Sequence, residues 1–145
     1  LHHRDLMVVT NNMNVANILV DNPECRIVLT GGALRRMDGG LVGNLTIETI
    51  RQFKFDIAVI GCSAMDADGD LLDFDIEEVG VSQCIIAQSR KTFLVTDHSK
   101  FKRSAPARIA SAREVDMFFT DLPLPAGLAE KCKGWETEVI FAPDA

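Results

Sequence analysis

The chain has 145 residues, 47% apolar and 25% charged, a globular balance long enough to bury the core of one domain. With 15 Lys+Arg against 21 Asp+Glu the net charge is −6, which argues against this polypeptide alone gripping a nucleic-acid backbone. No apolar stretch approaches transmembrane length and no signal peptide opens the chain, so no membrane contact is expected.

In chain order, "LMVVT" (6–10) reads as a buried strand. "NNMNVANILVDNP" follows, with Asn11 or Asn12 as cap of a helix carrying Val15, Ile18 and Leu19 on one face, ended by Asn22-Pro23. "RIVLT" (26–30) is the next strand, and "GGALRRMDGGLVGN" reads as a long loop with five glycines. "LTIETIRQF" predicts an amphipathic helix and "FDIAVIG" (55–61) a third strand. "CSAMDADGDLLD" reads as a loop turning at Asp68-Gly69. "FDIEEVGVSQCIIAQSR" is helical, weakened by Gly80, and "KTFLVTD" (91–97) is a fourth strand. In "SAPARIASAREV", Pro106 suits the first turn of a short helix. "DMFFTD" (116–121) is a strand, "PAGLAEKCKG" a helix opened by Pro125, and "WETEVIFA" a last strand. Helices alternating with near-continuous apolar strands predict an α/β fold with a mostly parallel sheet.

Cys25, Cys62, Cys84 and Cys132 are far apart, with no CxxC and no His at ligand spacing, so no metal and no cofactor is expected. Cys25, Cys62 and Cys84 lie in or beside apolar runs and are expected to be buried free thiols, which suits a reducing cytoplasm. His2 and His3 are assigned no role.

Ligands of parallel sheets bind outside the carboxyl ends of the strands. Those ends read Thr10-Asn11-Asn12, Thr30-Gly31-Gly32, Gly61 with Ser63, and Asp97-His98-Ser99-Lys100. Small residues admit a ligand close to the backbone, helix starts favour anions, and Lys100 is a compact cation at the same edge. Together they predict one wall of an anion-binding crevice. Each piece also has a plain structural reading. Asn11 and Asn12 suit a cap as well as a ligand contact, Gly31-Gly32 alone suits a turn, and Glu77 and Glu78 suit a helix dipole. Asp97 can cap a turn, and Lys100, Arg35 and Arg36 can be solvated.

"VVTNNMNVANIL", "IVLTGGALRRMDGGLVG", "FDIAVIGCSAMDADGDLLDFDIEEV" and "LVTDHSKFKRSA" resemble, in that order, the effector-binding domain of DeoR-family transcriptional repressors. The match runs up to "VDMFFTD", and "DGDLLDFD" with the His of "DHSKF" is most similar to the glycerol-3-phosphate branch of the family. The resemblance implies a three-layer fold similar to ribose-5-phosphate isomerase. It implies a domain that senses a phosphorylated sugar or polyol and controls a separate N-terminal winged helix-turn-helix, the only part that would touch DNA. Carried over residue by residue, the ligand-facing candidates are Asn11, Asn12, Gly31, Gly32, Glu78, Asp97 and Lys100.

Two departures stand out. The family domain begins upstream with a strand and an "SGTT"-like phosphate loop, so the chain is expected to be a sensor lacking its first strand, that loop and the DNA-binding part. The helix after "FDIEEV" carries basic residues in the family, where this chain has "GVSQCII". The leading expectation is a cytoplasmic, homo-oligomeric binding module, with a phosphorylated metabolite such as glycerol 3-phosphate as inducer. The rival is a phosphosugar isomerase, with Glu78 as general base and Lys100 stabilising an enediolate. A purely structural oligomerisation domain is the third reading.

Overall fold

The computed structural model describes residues 6–141, so His2 and His3 lie outside the described part. The chain divides into two compact units between Phe53 and Lys54.

In the first unit β1 (Leu6–Thr10) leads through α1 (Met13–Leu19) to β2 (Cys25–Leu29). The strands are parallel, with Leu6 opposite Cys25 and Thr10 opposite Leu29. Asn12 is the cap of α1: its side-chain oxygen accepts from the N–H groups of Asn14 at 2.8 Å and Val15 at 3.1 Å. That satisfies two donors the first helical turn would otherwise leave open. The glycine-rich stretch is not all loop. β3 (Ala33–Leu34) and β4 (Leu41–Val42) form an antiparallel hairpin within it. α2 (Asn44–Arg51) follows and buries Thr46 and Ile50.

The second unit contains β5 (Phe55–Ile60), β6 (Ala64–Met65), β7 (Asp70–Asp73), α3 (Ile76–Ala87) and β8 (Ser89–Val95). After a 3₁₀ turn at His98–Lys102 come β9 (Ala107–Ser111), β10 (Met117–Thr120), α4 (Ala126–Gly134) and β11 (Glu138–Phe141). Four strands form a parallel sheet in the order β11-β10-β8-β5. Asp116 ties its amino-terminal edge together. Its carboxylate accepts the Thr92 N–H at 2.8 Å, its own N–H donates to the Thr92 carbonyl at 2.9 Å, and its carbonyl accepts from Glu138. Leu94 and Phe118, both fully buried on the central strands, anchor a core that includes Ile60, Leu71, Val79, Ile109 and Leu128.

Two sequence expectations fail here. The stretch after Pro106 is strand β9, not a short helix; a 3₁₀ turn follows it at Ala112–Glu114. β9 pairs antiparallel with β7, which pairs with β6, so the expected loop at 62–73 also holds two strands. The Arg108 guanidinium meets the Asp70 carboxylate at 2.9 Å across that pairing. Cross-strand partners outweigh the helical preference of an Ala-rich segment. The "GVSQC" departure lies in α3, where Val79 and Val81 are buried and Gln83 donates to the carbonyls of Arg108 and Ile109, each at 3.2 Å. All four cysteines are free, but Cys25, Cys62 and Cys84 are half-buried and Cys132 is the buried one.

Candidate functional site

Parallel pairing brings the carboxyl ends of β5, β8 and β10 out side by side, Ile60 beside Leu94 and Val95 beside Phe119. The chain leaves the sheet there and opens a cleft of about 390 Å³, within the range of small-molecule sites. Gly61 and Cys62 line it after β5; Val95, Thr96, Asp97 and Lys100 after β8; Phe119, Thr120 and Asp121 at the end of β10. A side chain at Gly61 would meet nothing closer than the Val95 carbonyl at 3.7 Å, so the glycine leaves the cleft floor open.

The charged groups of the cleft are unequally engaged. Asp97 caps the 3₁₀ turn: one carboxylate oxygen accepts the Ser99 N–H at 2.8 Å and the Ser99 hydroxyl as well. The Ser99 hydroxyl and N–H hold the Asp97 carboxyl below the ordinary carboxylate value. Asp121 accepts the His98 backbone N–H at 2.8 Å with one oxygen and meets His98 Nδ1 at 2.8 Å with the other. Hydrogen bonding from the imidazole likewise lowers its carboxyl. The ammonium of Lys100 makes no hydrogen bond or ion pair with any described residue. The cleft therefore carries two carboxylates committed to the turn and one uncommitted cation.

Cys62 faces the same cleft as a neutral thiol. Burial pushes its pKa up to about 11, against the lowering effect of the Thr96 hydroxyl. Glu78 lies elsewhere: it is half-buried in the first turn of α3 and is not among the residues that line the cleft. Of the sequence candidates in this unit, Asp97 and Lys100 are brought together and Glu78 is not. Sequence reasoning missed Asp121, Thr120, Thr96 and Cys62. The rule that singled out Asp97 applies equally to Asp121, the last residue of "DMFFTD", but was not extended to it.

In the first unit, the candidates sit at the carboxyl ends of β1 and β2 and have structural work. Asn11 donates its side-chain amide to the Leu41 carbonyl at 2.9 Å and accepts the Leu41 N–H at its backbone carbonyl. Asn12 caps α1 and also donates to the Asp38 carbonyl at 3.0 Å. Gly32 has φ +132°, and a Cβ there would fall 2.1 Å from Thr46 Oγ1 and 2.7 Å from the Val42 carbonyl. A Cβ on Gly31 would have 3.7 Å of clearance. Just before them, Thr30 buries a hydroxyl with no hydrogen-bond partner among the described residues. Among the described residues no group of three or more His, Cys, Asp or Glu could hold a metal ion, and no helix is long and apolar enough to cross a membrane.

Comparison with known proteins places this geometry. Residues 1–122 match the model of the DeoR C-terminal sensor domain. The glycerol-3-phosphate regulon repressor of Escherichia coli is 45% identical over 130 residues, covering 90% of this chain and 52% of that protein. The repressor of the same name from Haemophilus influenzae is 45% identical over 141 residues, 97% of this chain and 54% of its own length. The HTH-type transcriptional repressor CsqR of Escherichia coli is 34% identical, with 97% and 54% covered. The chain thus spans about half the length of the curated relatives it matches. Matched over more than four-fifths of its residues, up to the end of the strand that supplies Asp121, the chain belongs to the DeoR C-terminal sensor domain family.

Proposed function

We propose that the cleft at the ends of β5, β8 and β10 senses a phosphorylated polyol or sugar, glycerol 3-phosphate first among them, and that the ligand acts as inducer of a DeoR-type repressor. The observation that carries this is Lys100. A half-buried lysine with no hydrogen-bond or ion-pair partner among the described residues, in a cleft whose carboxylates are bonded to the turn, is completed by an anionic or strongly accepting ligand oxygen. Two relatives are repressors named for the glycerol-3-phosphate regulon, which supports that ligand. In this reading Thr96 and Thr120 offer hydroxyls to the polyol, and Asp97 accepts from a ligand hydroxyl with the oxygen that Ser99 leaves open. In the first unit taken by itself, Asn11, Asn12, Gly31 and Gly32 remain candidate ligand residues, through backbone groups, since both asparagine side chains are engaged. Glu78 remains a candidate hydrogen-bond acceptor.

DNA binding is proposed for a helix-turn-helix segment outside these residues, and the finer fold assignment is a ribose-5-phosphate isomerase-like three-layer sheet. Self-association is part of the proposal; Ile57 and Val59 on edge strand β5 expose 50% and 66% of their surface, which supports it. The domain is a binding module, not an enzyme: its family is a sensor family. Calorimetric titration with glycerol 3-phosphate, glycerol and inorganic phosphate tests the assignment. Binding of the phosphate ester far above that of either fragment is expected. Equal weak binding of all three overturns it.

A further inference from the structure

We propose that Asp121 is a positioning residue of the ligand cleft, one that sets the His98–Lys102 turn and the tautomer of the His98 ring. This rests on the reading that the cleft binds a phosphorylated ligand. Lys100 sits between two anchors of that turn. On one side Phe101 lies against the core residue Phe118, ring centroids 6.3 Å apart. On the other, His98 is held twice by Asp121, through its backbone N–H and through Nδ1, both at 2.8 Å. Asp97 adds a local cap, but its bonds to Ser99 are internal to the turn and do not tether it to the sheet. Asp121 does, because it directly follows β10, the neighbour of β8.

A carboxylate can only accept, so the proton of a neutral His98 lies on Nδ1 and Nε2 is left as the acceptor. The pair therefore fixes where the turn that carries Lys100 lies and which ring nitrogen of His98 holds the proton. A group that orients a binding residue in this way acts through that residue.

The test separates the tautomer from the tether. In Asp121→Asn the carbonyl oxygen keeps the His98 backbone bond, but the amide then faces Nδ1 as a donor and forces the proton to Nε2. Asp121→Ala removes both bonds. Imidazole ¹⁵N spectra of the intact protein should show Nδ1–H in the wild type and Nε2–H in Asp121→Asn. Calorimetry with glycerol 3-phosphate should show binding weakened at least about tenfold in Asp121→Asn, and amide exchange at 98–102 should quicken in Asp121→Ala. Wild-type affinity in Asp121→Asn together with a switched ring overturns the positioning role, while the ligand reading stands. An unchanged ring tautomer in Asp121→Asn overturns the role as well. If the wild type itself fails to bind glycerol 3-phosphate, the ligand reading falls first and the inference with it. Asp121→Asn is nearly isosteric, so it carries the test if Asp121→Ala does not fold.

Discussion

Thr46 donates its hydroxyl to the Gly31 carbonyl at 2.6 Å and so fastens α2 under the end of β2. The approach is close enough that the next residue must be glycine, since a Cβ on Gly32 would lie 2.1 Å from the same hydroxyl oxygen. Gly32→Ala should therefore destabilise the protein by about 2–4 kcal/mol, from a left-handed backbone and a clash with the immovable Val42 carbonyl. Gly31→Ala, whose Cβ would only reach ordinary contact with Leu45 Cβ at 3.7 Å, should stay within about 0.5 kcal/mol. Urea unfolding of the two variants measures the difference, and similar losses in both would contradict the packing described.

The two buried threonines of this region should respond with opposite signs. Thr46→Val leaves the Gly31 carbonyl without its donor and should cost about 1–2 kcal/mol. Thr30→Val removes a buried hydroxyl that has no partner among the described residues and should be neutral or stabilising by up to about 1 kcal/mol. Thermal unfolding of both, side by side, gives the signs.

Lys100→Ala should weaken binding of glycerol 3-phosphate by about 1.5–3 kcal/mol, the range of a lost charge-assisted hydrogen bond. Stability should hardly change, because the ammonium has no partner within the described residues to lose. Calorimetry against the wild type provides the affinity, and a denaturation curve provides the control.

Acid should loosen the turn in a defined direction. Asp97 and Asp121 are both held below the ordinary carboxylate value of 3.8 by hydrogen bonds made only in the folded protein. The unfolded chain therefore takes up protons first as pH falls. Their stabilisation is fully present above about pH 4–5 and is lost as pH drops through the folded values. Ser99→Ala removes the largest cause at Asp97 and should raise its carboxyl toward the ordinary value, flattening that part of the acid limb. Carboxyl ¹³C titration of wild type and Ser99→Ala would show it, and superimposed curves would refute it.

No proton exchange next to a substrate carbonyl is expected. Glu78 does not line the cleft, and the Cys62 thiol, pushed up to about 11 by burial, is not a nucleophile near neutral pH. The measurement is solvent-deuterium incorporation into ribose 5-phosphate, triose phosphates and hexose phosphates. Incorporation well above the uncatalysed rate, abolished by Glu78→Gln, would establish the isomerase reading instead.

The sequence alone determined the elements that need only their own residues. The parallel strands are legible as unbroken apolar runs, although β1 is not the buried strand that its run suggests: Leu6 and Met7 are exposed. The start of α1 is legible to within Asn11 or Asn12, because a cap is made within three residues, and the structure chooses Asn12. Asp97 and Lys100 were legible as site candidates because a polar cluster ends a buried strand. What only the tertiary structure decided are the features made by residues distant in sequence. Strand β9 exists because β7 pairs with it; Ala107–Ser111 alone would as readily turn a helix. The His98–Asp121 pair spans 23 residues and forms because β8 and β10 run side by side, register Val95 to Phe119, so that their ends emerge together. Gly32 looks like any turn glycine until Thr46 lies against it. Hydrophobic periodicity and capping are local and can be read along the chain. Strand partners, close approaches and the company a charge keeps depend on which segments meet, and that is set when the whole core packs.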